Sequence, residues 1–309
     1  MIKRVLIELP TWMGDCVMST PAIKTLLKVN PDVKLDFIGP DSSLQLLKNF
    51  PSLGNVYKLD KSLINMFKTT KNMDPYELAI SFRSSLRSSL LLFLINSKNK
   101  HKFHKNEYSG HQVEKYNSFI NSIFGTSFSP EKQELFFARK SKISSTKRII
   151  GINPGAAYGS AKRWSEEGFI ELIEILKDNF FTVIFGGANE KILSQKIRQK
   201  LGLQTQEYRD LAGKTSIQEL IEYISNLDVF VTGDSGPMHI AAALNIPTVS
   251  IFGPTKDNET SQWMNKKNVI VKLDLDCQPC MQRECPLKHN NCMNMIDANM
   301  VYREIRRLL

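Results

Sequence analysis

The sequence predicts an α/β protein: two doubly wound, Rossmann-like domains facing a central cleft. Three observations predict it. Short β-branched runs alternate with helical patterns along most of the 309 residues, which is the mark of βαβ units and parallel sheets. The alternation breaks once, at the polar, basic stretch Arg139 to Arg148. Each side of that break opens with a buried-type strand, then a small-residue loop, then a helix. The expected domains are therefore 1–145 and 146–309. The last helix can pack back on the first domain.

The elements follow in order. Val5–Leu9, Lys34–Ile38, Asn55–Leu59 and Leu78–Phe82 read as strands of the first domain. Arg148–Ile152, Thr182–Phe185, Asp228–Thr232, Thr248–Phe252 and Val269–Leu273 read as strands of the second. Helical stretches include Pro21–Lys28, Glu166–Lys177 and Ile217–Ser225, with a terminal helix that Asp297 can cap. Ligands of such sheets bind beyond the carboxyl ends of the strands. In a two-domain version both sets of strand ends can face one cleft.

Composition narrows the function. Hydrophobic residues make up 42% and the formal net charge is +10, so the chain can build real cores and favours anionic partners. No apolar run nears the roughly 20 residues of a membrane span. The first ten residues lack a signal peptide's apolar core and cleavage site. We read the protein as cytoplasmic. Nothing resembles a nucleic-acid-binding signature, and stacking aromatics are few.

Chemistry gathers at the strand-to-helix joints. In Glu8 to Leu26, a strand ends at Pro10 and a loop carries Gly14 and Asp15 before a helix. Gly14 lets a substrate approach the backbone, and Asp15 can take a proton from a sugar hydroxyl; the bland alternative is an N-cap aspartate. In Gly151 to Leu172, Gly155, Ala156 and Ala157 leave backbone N–H groups uncovered, and Lys162 and Arg163 follow. Small residues plus a cation suit a diphosphate, although this is no Walker A loop. The Gly-Gly of Phe185 to Lys191 is as well explained by a tight turn.

In Thr232 to Thr255, Asp234, Ser235 and Gly236 open a helix. The helix start attracts an anion, Gly236 allows close approach, and the Asp234 carboxylate suits neutral sugar hydroxyls. His239 lies one turn inside. The basic stretch Arg83 to Glu107 puts Arg83 and Arg87 on one helical face, with Lys98, Lys100, Lys102 and Lys105 beyond. An anionic acceptor or membrane headgroups fit it better than nucleic acid. Cys277, Cys280, Cys285 and Cys292 follow a C-x2-C-x4-C-x6-C spacing with His289 inside it. Thiolates so spaced can bind zinc or an iron–sulfur cluster; reduced structural thiols are the plainer expectation, since cytoplasmic disulfides are rare. Cys16 reads as a buried thiol.

Four stretches, PTWMGDCVMSTPAIKTL, NPGAAYGSAKRW, GDSGPMHIAAALNIPTVSIFGPT and CQPCMQRECPLKHNNCM, together resemble the ADP-heptose:lipopolysaccharide heptosyltransferase family, and its heptosyltransferase II branch most closely. The resemblance implies a GT-B type glycosyltransferase fold. It implies inverting transfer of L-glycero-D-manno-heptose from ADP-heptose to the heptose/Kdo inner core of lipopolysaccharide or lipooligosaccharide, most of all as the second heptose. No cofactor is implied beyond the ADP-heptose donor. By motif, Asp15 matches the general base and Lys162 the lysine on the donor diphosphate. Asp234, Ser235, Gly236 and His239 match the donor loop. Gln218 stands where the family has a ribose-binding acid, with Glu219 next to it. The acceptor is an anionic glycolipid, expected at Gly14, Arg83, Arg87 and Lys102, and the inner face of the inner membrane is the expected peripheral surface. A transferase with another nucleotide-sugar donor, or a nucleotide-sugar epimerase of the same fold, shares the plan.

Overall fold

The computed structural model describes residues 2–139, 143–155, 158–202 and 208–309. The chain divides into two compact units, Met1–Phe137 and Ala138–Leu309. The division falls before the expected 145/146 boundary because only the segment through Phe137 is tied to the first unit. Gln133 and Leu135 are buried there, Phe136 meets Phe50 edge-on, and Lys24 pairs with Glu131 and Glu134 at 2.8 and 2.7 Å.

The N-terminal unit runs β1 (Arg4–Glu8), α1 (Met13–Met18), α2 (Thr20–Val29), β2 (Lys34–Gly39), α3 (Asp41–Leu46), β3 (Leu53–Lys58), α4 (Leu63–Lys71), β4 (Tyr76–Ser81), α5 (Leu86–Leu94), β5 (Ser97–Lys102) and α6 (Gln112–Phe124). Its sheet is parallel, in the order β3-β2-β1-β4-β5. The central strand β1 is buried from Val5 to Glu8, as expected of a strand covered on both faces. Beneath α4 and α5, Leu6, Ile38, Ala79, Met66, Leu91 and Leu92 share one core.

The C-terminal unit runs β6 (Arg148–Asn153), α7 (Glu166–Leu176), β7 (Phe180–Ile184), α8 (Lys191–Leu201), β8 (Tyr208–Asp210), α9 (Ile217–Ile224), β9 (Val229–Gly233), α10 (Gly236–Ala243), β10 (Thr248–Ile251), α11 (Asp257–Thr260), β11 (Asn268–Val271), α12 (Asn291–Asn294) and α13 (Ala298–Leu308). Its parallel sheet has the order β11-β10-β9-β6-β7-β8. Ile150, Ile152, Val229, Val231 and Val249 from the strands meet Phe169, Leu172 and Ile173 of α7. The Asp297 carboxylate caps α13 through the Met300 N–H at 2.8 Å. That helix buries Val301 and Ile305 in the core of its own unit, against α7, β10 and β11.

All nine expected strands are present, and two edge strands join them. β5 reads SKNKHK, with no apolar residue to announce it. Lysines suit an edge because they discourage further pairing. β8 has only three residues. Among the described residues no helix is long and apolar enough to cross a membrane.

Both sheets reverse direction beside their first strand. The switch points lie between β1 and β4, and between β6 and β9. Such points open a crevice at the carboxyl ends of the strands. The segments that follow these four strands carry Asp15, Arg83, Gly155 and Asp234.

Candidate active site

In the N-terminal unit the chain leaves β1 through Leu9–Trp12. The Pro10 carbonyl accepts from the Ser43 hydroxyl at 2.6 Å, which pins the loop to α3. The helix then starts earlier than the sequence suggested. Trp12 is the extended N-cap, and Gly14 and Asp15 already lie in the first turn of α1. A carboxylate suits that turn electrostatically. Gly14 is buried and Asp15 half-buried. The Tyr116 hydroxyl, from α6, donates to Asp15 Oδ1 at 3.3 Å. Burial and the neighbouring carboxylate push the Tyr116 phenol well above its ordinary range, so it remains a donor. The Gln112 side chain bonds the same hydroxyl. Asp15 is thus oriented by a side chain 101 residues away in sequence.

Cys16 faces the other way. Its thiol reaches the Ser43 carbonyl, it is fully buried, and burial raises its pKa. It is a packing residue, as expected.

The cations expected to meet an acceptor have partners inside the protein. Arg83 does not share a helical face with Arg87. It precedes the N-cap Ser85, whose hydroxyl closes the first turn of α5, and so lies in the loop after β4. Its Nη1 donates to Glu8 Oε1 at 3.1 Å. Glu8 is buried, which pushes its carboxyl up, while hydrogen bonds from Ser81 and Ser88 and the Arg83 charge pull it back. The Arg87 guanidinium donates to the carbonyls of Asp60, Lys61 and Ser62 at 2.8, 3.0 and 3.3 Å. Lys102 ends β5 and donates to the Ser89 hydroxyl at 2.6 Å.

In the C-terminal unit the motif residues converge. Lys162 closes a short 3-10 turn, Ser160–Lys162. Its ammonium donates to Asp234 Oδ2 at 2.5 Å. The same oxygen accepts from the Thr255 hydroxyl at 2.7 Å. The pair is largely sealed from water: the Lys162 and Asp234 side chains are 11% and 7% exposed. The Tyr158 ring lies under the ammonium, 4.5 Å from its centroid, a favourable cation–π position. Asp234 is therefore not the helix cap. Ser235 takes that position and makes no side-chain cap bond to α10; its hydroxyl pairs with Thr232 at 2.9 Å instead. Asn153 at the end of β6 donates to Thr232 and to the Gly155 carbonyl. Gly155 leaves room that the Glu190 side chain occupies, since a Cβ there would sit 2.9 Å from its carboxyl carbon. Ala156 lies outside the described residues. His239, one turn into α10, is buried.

On α9, Gln218 is buried. Glu219 is committed elsewhere: it closes a capping box with Ser216, accepting from the Ser216 N–H and hydroxyl at 2.8 Å each. It cannot replace the missing acid at 218 without uncapping the helix.

The cysteine-rich segment braces these loops. The Met281 N–H donates to the Pro254 carbonyl at 2.8 Å, Tyr158 OH to the Met281 carbonyl at 2.9 Å, and Gln278 to the Gly253 carbonyl at 2.9 Å. The Ala161 N–H donates to the Arg283 carbonyl at 3.1 Å. Gly159 is required there, because a Cβ would collide with that carbonyl. The four cysteines line one small cavity with His289, Ala161 and Pro254, and all are free thiols. Backbone N–H groups, that of Asn290 foremost, lower the Cys285 thiol. Burial and the other three thiols push Cys292 up to about 11. Among the described residues no three His, Cys, Asp or Glu side chains are arranged to hold a metal ion.

Thr255, Tyr158 and Tyr116 were not singled out by the sequence. Thr255 had a signal: it follows the Gly-Pro after β10, the neighbour of β9. The two tyrosines had none. If Tyr116 positions Asp15, Tyr116→Phe should lower kcat about tenfold to a hundredfold while donor affinity holds, the range of about 1.5–3 kcal/mol for a hydrogen bond to a charged group. Unchanged kcat would make the contact incidental.

The comparisons with known proteins converge on one family. The model of glycosyltransferase family 9 (heptosyltransferase) matches residues 67–291. The chain is 36% identical to lipooligosaccharide heptosyltransferase 2 of Campylobacter jejuni subsp. jejuni serotype O:2, over 99% of this chain and 98% of that protein. Its fold resembles that of Escherichia coli ADP-heptose LPS heptosyltransferase II, with a TM-score of 0.83, 23% identity and 99% and 98% of the two chains covered. It also resembles the iron-containing dodecameric glycosyltransferase TibC of enterotoxigenic E. coli, with a TM-score of 0.68, 17% identity and 99% and 77% covered. The switch-point loops that carry Lys162 and Asp234 fall within the matched residues, and the relatedness runs from end to end; the chain belongs to glycosyltransferase family 9, the heptosyltransferases.

Proposed function

We propose that the protein moves L-glycero-D-manno-heptose from ADP-heptose to the heptose/Kdo inner core of lipopolysaccharide or lipooligosaccharide, adding the second heptose with inversion. One observation carries the reading. The residues able to hold a sugar diphosphate, Lys162, Asp234 and Thr255, gather at one unit's switch point, and a carboxylate held by a phenol, Asp15, occupies the other's. The name of the C. jejuni relative supports the choice of the second heptose.

The chemistry follows from the leaving group. ADP departs with negative charge, which Lys162 and the uncapped start of α10 can stabilise. When the ammonium turns to phosphate, Asp234 loses its partner and accepts hydroxyls of the heptose instead. Ser235 and Gly236 form the backbone floor beside it, with Gly155 after β6 and His239 one turn into α10. Gln218 meets the ribose with a neutral hydrogen bond. Asp15 removes the proton of the attacking acceptor hydroxyl. One base and one displacement invert the anomeric carbon. Of the cations read as acceptor contacts with Gly14, Lys102 gives up only a serine hydroxyl to meet an acceptor phosphate. Arg83 and Arg87 would have to share Glu8 and the loop carbonyls they hold.

TibC is named iron-containing, and the cysteine cavity is where iron would be sought here. The charge stabilisation described needs no cofactor beyond the ADP-heptose donor. The reaction belongs on the cytoplasmic side, with the protein peripheral at the inner membrane and no nucleic acid involved.

The test is ADP release with purified protein, ADP-heptose and a heptose-deficient core acceptor, with EDTA present. Release should depend on acceptor and persist with EDTA. ADP-glucose or UDP sugars that support equal turnover would overturn the donor, and donor consumption without acceptor would favour an epimerase.

A further inference from the structure

The α4–α5 face of the N-terminal unit carries apolar side chains that its core does not use. Helix α4 buries Met66 and Thr70, and α5 buries Ser88, Leu91 and Leu92. On their outer sides Leu63, Ile64 and Phe67 are about half exposed or more, Phe93 is 78% exposed and Leu86 is 89% exposed. Leu63 and Phe67 are four residues apart, and Leu86 and Phe93 seven, so each pair forms a stripe on its helix. The helices are joined at their starts. Arg87, in the first turn of α5, grips the carbonyls of Asp60, Lys61 and Ser62 just ahead of α4. A lone exposed leucine is ordinary; a patch across two adjacent helices marks a surface that meets something.

The charge around the patch says what. Lys61, Lys68, Lys71, Lys98 and Lys100 are all exposed, and Lys100 reaches the Phe93 carbonyl. The acids of the same stretch are engaged at home. Asp60 accepts from the Ser62 N–H, Asp74 pairs with Arg4, and Glu77 accepts the Lys3 and Arg4 N–H groups. The face therefore offers apolar side chains in a frame of cations. A second copy of this chain would set like charges against each other. A bilayer with anionic headgroups satisfies both features.

We propose that the α4–α5 face docks the protein on an anionic bilayer, with Leu63, Ile64, Phe67, Leu86 and Phe93 entering the headgroup–acyl boundary and the lysines on lipid phosphates. The inference rests on the proposed function for its purpose: a lipid-anchored acceptor must be met at a membrane. The topology agrees. α4 and α5 start at the carboxyl ends of β3 and β4, the same edge of the sheet at which Asp15 follows β1.

Vesicle sedimentation of the full chain, without donor or acceptor, tests it. Protein should pellet with phosphatidylcholine–phosphatidylglycerol vesicles, stay in solution with phosphatidylcholine alone, and be released by high salt. Leu86→Ser with Phe93→Ser, Ile64→Ser with Phe67→Ser, and Lys68→Glu with Lys71→Glu should each weaken the partition about tenfold or more without lowering Tm. ADP release on a soluble, delipidated core acceptor should stay at the wild-type rate in all three. Wild-type protein that ignores anionic vesicles, or variants that bind as well as wild type, would overturn the proposal. So would light scattering in which the substitutions turn a dimer into a monomer. A failure of transfer on the soluble acceptor would instead strike the proposed function and leave the vesicle result standing.

Discussion

Asp15→Asn should reduce transfer by about two to four orders of magnitude, the usual worth of a positioned base, while ADP-heptose binds nearly as tightly as to wild type. The substitution keeps size and leaves an amide oxygen to accept from Tyr116 Oη. Asp15 is half-buried and asparagine matches its shape, so the fold should persist. What disappears is the group that takes the acceptor proton. Turnover measured beside a donor titration separates the two effects. Near-normal turnover would remove Asp15 as base, and lost donor binding would place it in the wrong role.

Lys162→Ala should weaken ADP-heptose binding about tenfold to a hundredfold, in line with about 1.5–3 kcal/mol for a hydrogen bond to a charged group. This variant needs a control. It strands the Asp234 carboxylate in a largely sealed position, with the Thr255 hydroxyl still donating to that oxygen, and breaking such a pair costs about 3–5 kcal/mol. Combining Lys162→Ala with Asp234→Asn removes the stranded charge. The double variant should regain much of the lost Tm and none of the lost affinity. An unchanged donor Kd in Lys162→Ala would refute the diphosphate contact.

Those two residues were legible in the sequence because strand ends and small-residue loops are local signals. So were the nine strands, most of them apolar runs of the kind a covered parallel sheet requires. β5 was hidden for the opposite reason: an edge strand needs no apolar face, and SKNKHK reads as a solvated basic run. The sequence also put Arg83 and Arg87 on one helical face, when Ser85 caps α5 between them. Gly14 and Asp15 read as a loop because the helix begins without a capping side chain at Trp12.

The partners were the least legible. Tyr116 reaches Asp15 across 101 positions and Thr255 reaches Asp234 across 21; no periodicity encodes such contacts. The sequence assigned Lys162 to phosphate and Asp234 to sugar. The structure joins them to each other, so the two opposite charges offset one another in a nearly dry pocket. The apolar stripes of α4 and α5 were equally silent, because exposure is a property of packing.

The proposed transfer is one displacement at the anomeric carbon, driven by a single carboxylate and relieved by a single ammonium. The anomeric configuration of the transferred heptose, read by NMR on the purified product, tests this most directly. Linkage opposite to that in the donor is the predicted result. A product that retains the donor's configuration would require a second nucleophile and would contradict the assignment of Asp15.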